Sequence, residues 1–266
     1  MQPLAFDKYE GLGNDFLVVE VPTPDHLHPD QARALCDRHF GVGADGVLLV
    51  SPPTAAGHDA TLTILNADGS RPEMCGNGLR CVALHLANNG EARATYQVMT
   101  DAGLKRCDVQ QSEPGGKAEV QLSMGQAQSL GPLKVAFEAE EHVFGRVSIG
   151  NPHAITFGPI PTTERIDRVA PLVSGAVAGG SNVEFADVQE GAIRLVVWER
   201  GVGRTLACGT GACATVALAA ERGLVGYDSW VSVALPGGTL QVRVDPSGQA
   251  QLRGPARRVF SGSIAI

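Results

Sequence analysis

The strongest constraint on the fold is a short motif that occurs twice. Cys75-Gly-Asn-Gly78 and Cys208-Gly-Thr-Gly211 each set a cysteine before Gly-x-Gly, and each is followed by apolar-rich, helix-forming sequence. Each sulfur should therefore sit at a helix N-terminus, where unsatisfied N–H groups and the positive end of the helix dipole stabilise an anion. That setting can bring a thiol pKa down towards neutrality. The glycines let the backbone turn sharply and approach a ligand closely, so a small carboxylate could dock on either helix end. Two such cysteines brought face to face would form a pair of acid/base groups with a carboxylate cradle on each side.

The surroundings of the motif repeat as well. Strands at Leu4–Tyr9 and Phe16–Val21 flank a turn containing Asn14, and strands at Val143–Ile149 and Ala154–Phe157 flank Gly150-Asn-Pro-His153. Asn14 lies 61 positions before Cys75, and Asn151 lies 57 positions before Cys208. Between turn and cysteine each half carries a further helix, expected over Pro29–His39 in the first and Thr163–Val173 in the second. Each also carries two strands there, Val47–Val50 and Thr61–Leu65, then Asn182–Val188 and Ala192–Trp198. Leu79, Val82, Ala83 and Leu86 fall at helical spacing and mark a buried face, and Asn88-Asn-Gly90 supplies a stop. The second cysteine helix is expected to reach Arg222.

Alternating segments at Thr95–Met99, Leu104–Val109 and Ala118–Leu122 extend a largely antiparallel or mixed sheet, and a few strands close the chain. The small, polar stretch from Gly125 to Pro132 reads as a boundary. The expected fold class is α/β of the α+β type: two pseudo-symmetric halves, each a mixed, mostly antiparallel sheet around a central helix, with the active site in the cleft between them. The halves are expected at 1–128 and 129–255, with the terminal strand near 256–266 packing back onto the first.

Composition excludes several alternatives. A net charge of −7 with no basic cluster beyond Arg257-Arg258 argues against a nucleic-acid surface. No apolar run is long enough for a membrane span, and the N-terminal residues lack a signal pattern, so the expected compartment is the cytoplasm. Six cysteines in 266 residues, with no C-x-x-C pair, suggest neither a disulfide framework nor structural zinc. Cys36, Cys81, Cys107 and Cys213 read as buried thiols.

A two-sided thiol site suits inversion of a stereocentre. One sulfur removes a proton from carbon on one face while the other delivers one to the opposite face. Only four lysines are present, none in a Schiff-base setting, and neither a phosphate loop nor a dinucleotide fingerprint occurs. The chemistry is therefore expected to need no cofactor and no metal, with a small molecule as the binding partner.

Four stretches resemble the signatures of the diaminopimelate epimerase family: Phe6 to Phe16, Asn66 to Cys81, Gly150 to His153, and Glu199 to Cys213. The resemblance implies cofactor-independent interconversion of LL- and meso-2,6-diaminopimelate, on the route to lysine and cell-wall cross-links, by a homodimer. It makes Cys75 and Cys208 the acid/base pair, with Gly76, Asn77, Gly209 and Thr210 offering amides to the reacting carboxylate. It places Asn14, Asn66, Asn151, Asn182, Glu199 and Arg200 at substrate-contacting positions, with Arg200 reading the distal carboxylate. His153 and Glu199 would tune the cysteines. Some family members carry a substrate-contacting Gln where this chain has Gly46, which is left out of the site. Proline and hydroxyproline racemases or epimerases, which also pair two cysteines, remain the alternative, with a non-catalytic thiol- or metal-binding protein behind them.

Overall fold

The computed structural model describes residues 3–90, 93–113, 116–138 and 140–265. The chain forms two compact units, Met1–Leu122 with Gly254–Ile266, and Ser123–Arg253. The first unit runs through strands β1 (Leu4–Gly11) and β2 (Asn14–Glu20), helix α1 (Pro29–Cys36), β3 (Gly46–Ser51) and β4 (Ala60–Asn66). It continues with helix α2 (Gly76–Asn89), β5 (Thr95–Thr100), β6 (Gly103–Glu113) and β7 (Lys117–Gln126). Neighbouring strands pair in the order β1 to β7, antiparallel except for β2–β3 and β4–β5.

The second unit contains β8 (Gln128–Phe137), β9 (Glu140–Ser148), β10 (Pro152–Phe157), helix α3 (Thr163–Gly175), β11 (Asn182–Gln189) and β12 (Ala192–Glu199). A two-residue β13 (Gly203–Arg204), helix α4 (Gly209–Glu221), β14 (Val231–Leu235), β15 (Gly238–Val244) and β16 (Gln249–Ile264) follow, the last of these belonging to the first unit from Gly254 onward. From β9 onward the succession is the same as in the first unit: antiparallel β9–β10, parallel β10–β11, antiparallel β11–β12, parallel β12–β14, then two antiparallel pairs. The last stretch of β16 lies antiparallel on β1, as β8 lies antiparallel on β9. The repeat visible in the sequence is thus a repeat of sheet topology.

Alternation along the strands decides which residues meet which helix, because successive side chains point to opposite faces. Leu17 and Val19 of β2 and Val47 and Leu49 of β3 pack with Ala32 and Leu35 of α1. Phe16 and Leu48, offset by one, face the other side, where the first turn of α2 rests on Leu48. In the second unit Ala154, Val183 and Phe185 pack with Ile166, Val169 and Val173 of α3. Ile155 packs with Ala214 and Leu218 of α4. Every residue from Gly76 to His85 is buried, so α2 is a core helix, contacting β1, β2, β3, β5 and β6. Burying a leucine contributes about 1.5–3 kcal/mol, so Leu79 and Leu84 alone anchor it firmly.

One local expectation needs correction. The first helix stops at Cys36 instead of continuing to His39, because the Asp37 carboxylate accepts the N–H groups of His39 (2.7 Å) and Phe40 (2.8 Å). An Asp side chain that satisfies the following amides offers the backbone an alternative to the next helical turn. The stretch from Gly125 to Pro132, read as a boundary, is carried in strand: β7 and β8 run through it, and the two units divide just before it, between Leu122 and Ser123. Ala118, Val120, Leu122 and Met124 alternate inward along β7, and Ala127 N–H bonds the Gly248 carbonyl at 2.8 Å. No helix among the described residues is long and apolar enough to cross a membrane.

Candidate active site

Both cysteines occupy the N-cap of a buried helix. Cys75 and Cys208 have extended backbones, with φ/ψ of −138°/112° and −124°/109°, and each sulfur accepts the N–H of the glycine three residues on, at 3.4 Å. A side chain at this position satisfies one of the four amides a helix start leaves open. The glycines are dictated by packing as well. A Cβ on Gly78 would stand 3.0 Å from the Leu48 side chain, and one on Gly211 would stand 2.8 Å from Glu184 Oε1.

The turn asparagines are built into the same device in both units. Asn77 Nδ2 donates to Asn14 Oδ1 (3.1 Å), and Asn151 Nδ2 donates to Thr210 Oγ1 (3.3 Å). In each case the asparagine before the second strand of the repeat holds the side chain two residues after the cysteine. Asn14 Nδ2 in turn donates to Asp45 Oδ2 at 2.7 Å, and Asp45 pairs with Arg38, which also binds Asp15. Behind Asn77 lies Arg80, fully buried, donating to Asn77 Oδ1 (3.0 Å) and to the Pro255 carbonyl (3.1 Å). Burial pulls the Arg80 guanidinium below its ordinary pKa, against the opposing pull of Cys81, Cys75, Glu119 and Glu10.

Asn66 closes the tight turn that precedes the first cysteine: its Nδ2 donates to Ser70 Oγ at 2.9 Å, and its N–H to the Ser70 carbonyl at 2.8 Å. Asn182 is buried and bridges two loops, donating from Nδ2 to the Pro152 carbonyl (3.4 Å) and accepting the Arg200 N–H at Oδ1 (2.9 Å). The Arg200 guanidinium is exposed and donates to the Gly179 carbonyl at 2.9 Å. Glu199 Oε1 accepts the Thr205 hydroxyl at 2.6 Å. The first unit thus brings together Asn14, Cys75, Gly76 and Asn77, with Asn66 on the turn that leads into them. The second brings together Asn151, His153, Asn182, Glu199, Arg200, Cys208, Gly209 and Thr210.

The sequence did not point to Glu184. His153 Nδ1 and Glu184 Oε1 are 2.7 Å apart, and both side chains are fully buried. His153 Nε2 lies 3.0 Å from Asn151 Oδ1, and Thr210 Oγ1 lies 3.5 Å from Cys208 Sγ. Alternation could have found it, because Val183 and Phe185 face α3 and leave Asn182 and Glu184 on the face shared with His153. Arg80, buried on α2, and Asp45, the partner of Asn14, were not singled out in the sequence either.

At Cys208 burial outweighs the helix start. Burial pushes this thiol well above its ordinary pKa; the charges of Glu199 and Glu184 push the same way, while the Thr210 hydroxyl and Gly211 amide oppose them. A helix N-terminus is worth about 0.3–1 kcal/mol at an exposed site, too little to offset removing a thiolate from water. Alkylation of Cys208 by iodoacetamide, followed against pH in a Cys75→Ala background, is accordingly expected to be slow at neutral pH. The rate should keep rising beyond pH about 10, where a free thiol has levelled off. A plateau near neutrality would reverse the assignment. Among the remaining thiols, Cys36 and Cys107 are pushed up to about 12 by burial, and Cys81 is likewise raised.

Gly46 also has a structural reason. A Cβ there would come within 2.8 Å of the Leu65 carbonyl oxygen, so this backbone admits no side chain without shifting β4.

The family model for diaminopimelate epimerase matches residues 6–130 and 145–259. Among curated relatives, the diaminopimelate epimerase of Synechocystis sp. is 41% identical over 280 residues, covering 99% of both chains. That of Thioalkalivibrio sulfidiphilus is 42% identical over 284 residues, again with 99% of each covered. Among solved structures, a hydroxyproline epimerase from Agrobacterium vitis superposes with a TM-score of 0.77 at 19% identity, covering 99% of this chain and 91% of the other. At that identity the likeness is one of fold.

Proposed function

The chain belongs to the diaminopimelate epimerase family, an isomerase family that epimerises amino acids, and from that membership we propose that it interconverts LL- and meso-2,6-diaminopimelate with Cys75 and Cys208 as the two acid/base groups. The observation that carries the mechanism is the duplicated cap. Two units of one topology each end a sheet connection on a cysteine whose sulfur is held by a helix amide. Proton removal on one face and delivery on the other needs two such groups, and their exchange of roles in the reverse direction needs them to be equivalent in kind.

Burial beside Glu199 and Glu184 supports Cys208 as the thiol, hence the proton donor. Cys75, half-buried, then acts as the base in that direction. Amides at Gly76, Asn77, Gly209 and Thr210 would receive the carboxylate on which negative charge develops, the kind of fixed dipole that supplies much of an enzyme's rate enhancement. Asn66, Asn182 and Arg200 would recognise the distal amino-acid end, Arg200 as a fork for its carboxylate. Asn14, Asn151 and Glu199 would complete the substrate contacts, with His153 and Glu199 tuning the thiols. The same reading has the protein working without cofactor, as a cytoplasmic homodimer, on the route to lysine and cell-wall precursors.

The test is a substrate panel. Inversion of diaminopimelate with none of proline or hydroxyproline is the expected result. Inversion of proline with diaminopimelate untouched would overturn the substrate assignment while sparing the two-thiol chemistry.

A further inference from the structure

Four hydrogen bonds join the buried Glu184 to the sulfur of Cys208. They run from Glu184 Oε1 to His153 Nδ1 (2.7 Å), from His153 Nε2 to Asn151 Oδ1 (3.0 Å), from Asn151 Nδ2 to Thr210 Oγ1 (3.3 Å), and from Thr210 Oγ1 to Cys208 Sγ (3.5 Å). Each link constrains the next. An amide whose Nδ2 donates to Thr210 must accept at Oδ1, so the ring must carry its hydrogen on Nε2. A threonine hydroxyl that already accepts from Asn151 has its own hydrogen free for the sulfur.

What fixes the ring is Glu184. Its Oε2 is buried with no hydrogen-bond partner among the described residues, a setting that a neutral carboxylic acid tolerates far better than a carboxylate. Burial raises the Glu184 pKa in the same sense, against His153 and the Ala154 amide. The acid O–H then points at Nδ1, and the ring carries its hydrogen on Nε2.

The first unit shows that packing alone does not require these groups. In the parallel pair β2–β3, Phe16 stands opposite Gly46, and Leu48 comes two residues later. In β10–β11, His153 stands opposite Asn182, and Glu184 comes two residues later. Leu48 supports Gly78 of the first cysteine helix just as Glu184 supports Gly211 of the second. An apolar Phe–Leu pair therefore fills in one repeat the place that a His–Glu pair fills in the other.

We propose that Glu184 is a positioning residue for Cys208: by holding the Nδ1 side of the His153 ring it sets the direction of the whole chain, so that the Thr210 hydroxyl donates to the sulfur. The proposal rests on the reading of Cys208 as a reacting thiol. Without Glu184, nothing anchors the Nδ1 side, so the ring can turn away from Asn151, the amide is free to turn over, and Thr210 then donates to Asn151 instead of to Cys208.

The test reads Cys208 alkylation by iodoacetamide in a Cys75→Ala background, together with the His153 tautomer from long-range 1H–15N spectra. Glu184→Leu and Thr210→Val are each expected to slow alkylation roughly tenfold, the loss of one hydrogen bond to a thiolate. Their combination should be no slower than either alone, because both remove the same donor. Glu184→Gln, whose amide N–H can replace the acid O–H, should keep the Nε2–H tautomer and stay within about twofold of the parent. Should Glu184→Leu fail to fold, His153→Phe with Glu184→Leu copies the apolar pair of the first unit; it should fold and show the slow rate of Thr210→Val.

Equal effects of Glu184→Gln and Glu184→Leu would overturn the proposal, as would multiplicative losses in the double variant or a parental rate in the folded Phe–Leu variant. None of these readouts uses diaminopimelate. A wild type that fails to invert that substrate would sink the proposed function and leave the Glu184 result standing.

Discussion

Cys75→Ala and Cys208→Ala are each expected to lower the rate of inversion of diaminopimelate by at least 10²–10⁴-fold, the usual share of a positioned acid or base, with little change in KM. Both cysteines cap helices whose first turns are buried, and alanine fits either N-cap. A stability loss of about 0.5–2 kcal/mol is the ordinary effect of removing a capping side chain, so folded variants should be available for assay. The two variants should also differ from one another. With one thiol gone, the survivor can still take and return a proton on its own face. Each variant should then exchange the α-hydrogen of one stereoisomer with solvent while inverting neither. Residual inversion within tenfold of the parent in either variant would remove that cysteine from the mechanism.

Arg80→Ala is expected to be the most destabilising single change in the first unit, at about 3–5 kcal/mol. The side chain is fully buried on α2 and donates to Asn77 Oδ1 and to the Pro255 carbonyl. Truncation opens a large cavity and takes the guanidinium donor from both acceptors. In a chain of this size the corresponding fall in Tm is roughly 10 °C. Arg80→Met, which keeps most of the volume, should lose about half as much. Thermal unfolding of the three proteins checks the ordering, and an Arg80→Ala variant as stable as the parent would mean that α2 does not rely on this contact. Because Asn77 is held between Arg80 and Asn14, the same variant should loosen the turn beside Cys75.

The repeat was legible because its markers are local. Cysteine followed by Gly-x-Gly announces a helix start from a few residues, and asparagine at matching distances upstream announces the paired turns. Strand alternation and helix periodicity are also short-range signals, and they located the central helices and the strands around them. Side-chain partners over tens of residues were not legible. Glu184 meets a histidine 31 positions away, and Asn77 meets an asparagine 63 positions away. Such pairings depend on which strands lie side by side, and a parallel neighbour leaves no mark in either strand's own pattern. At Cys208 the dipole is a property of the helix end, which the sequence displays, whereas burial is a property of everything packed around it.

If the two thiols invert a stereocentre through carbanion-like chemistry on diaminopimelate, the inverted carbon must carry a hydrogen taken from solvent. The most direct measurement incubates the reduced wild-type protein with LL-diaminopimelate in deuterium oxide and follows stereochemistry and α-deuterium together by NMR. Formation of the meso isomer carrying solvent deuterium at the inverted carbon is the predicted result. Inversion with the original hydrogen retained, or no exchange at all, would contradict it.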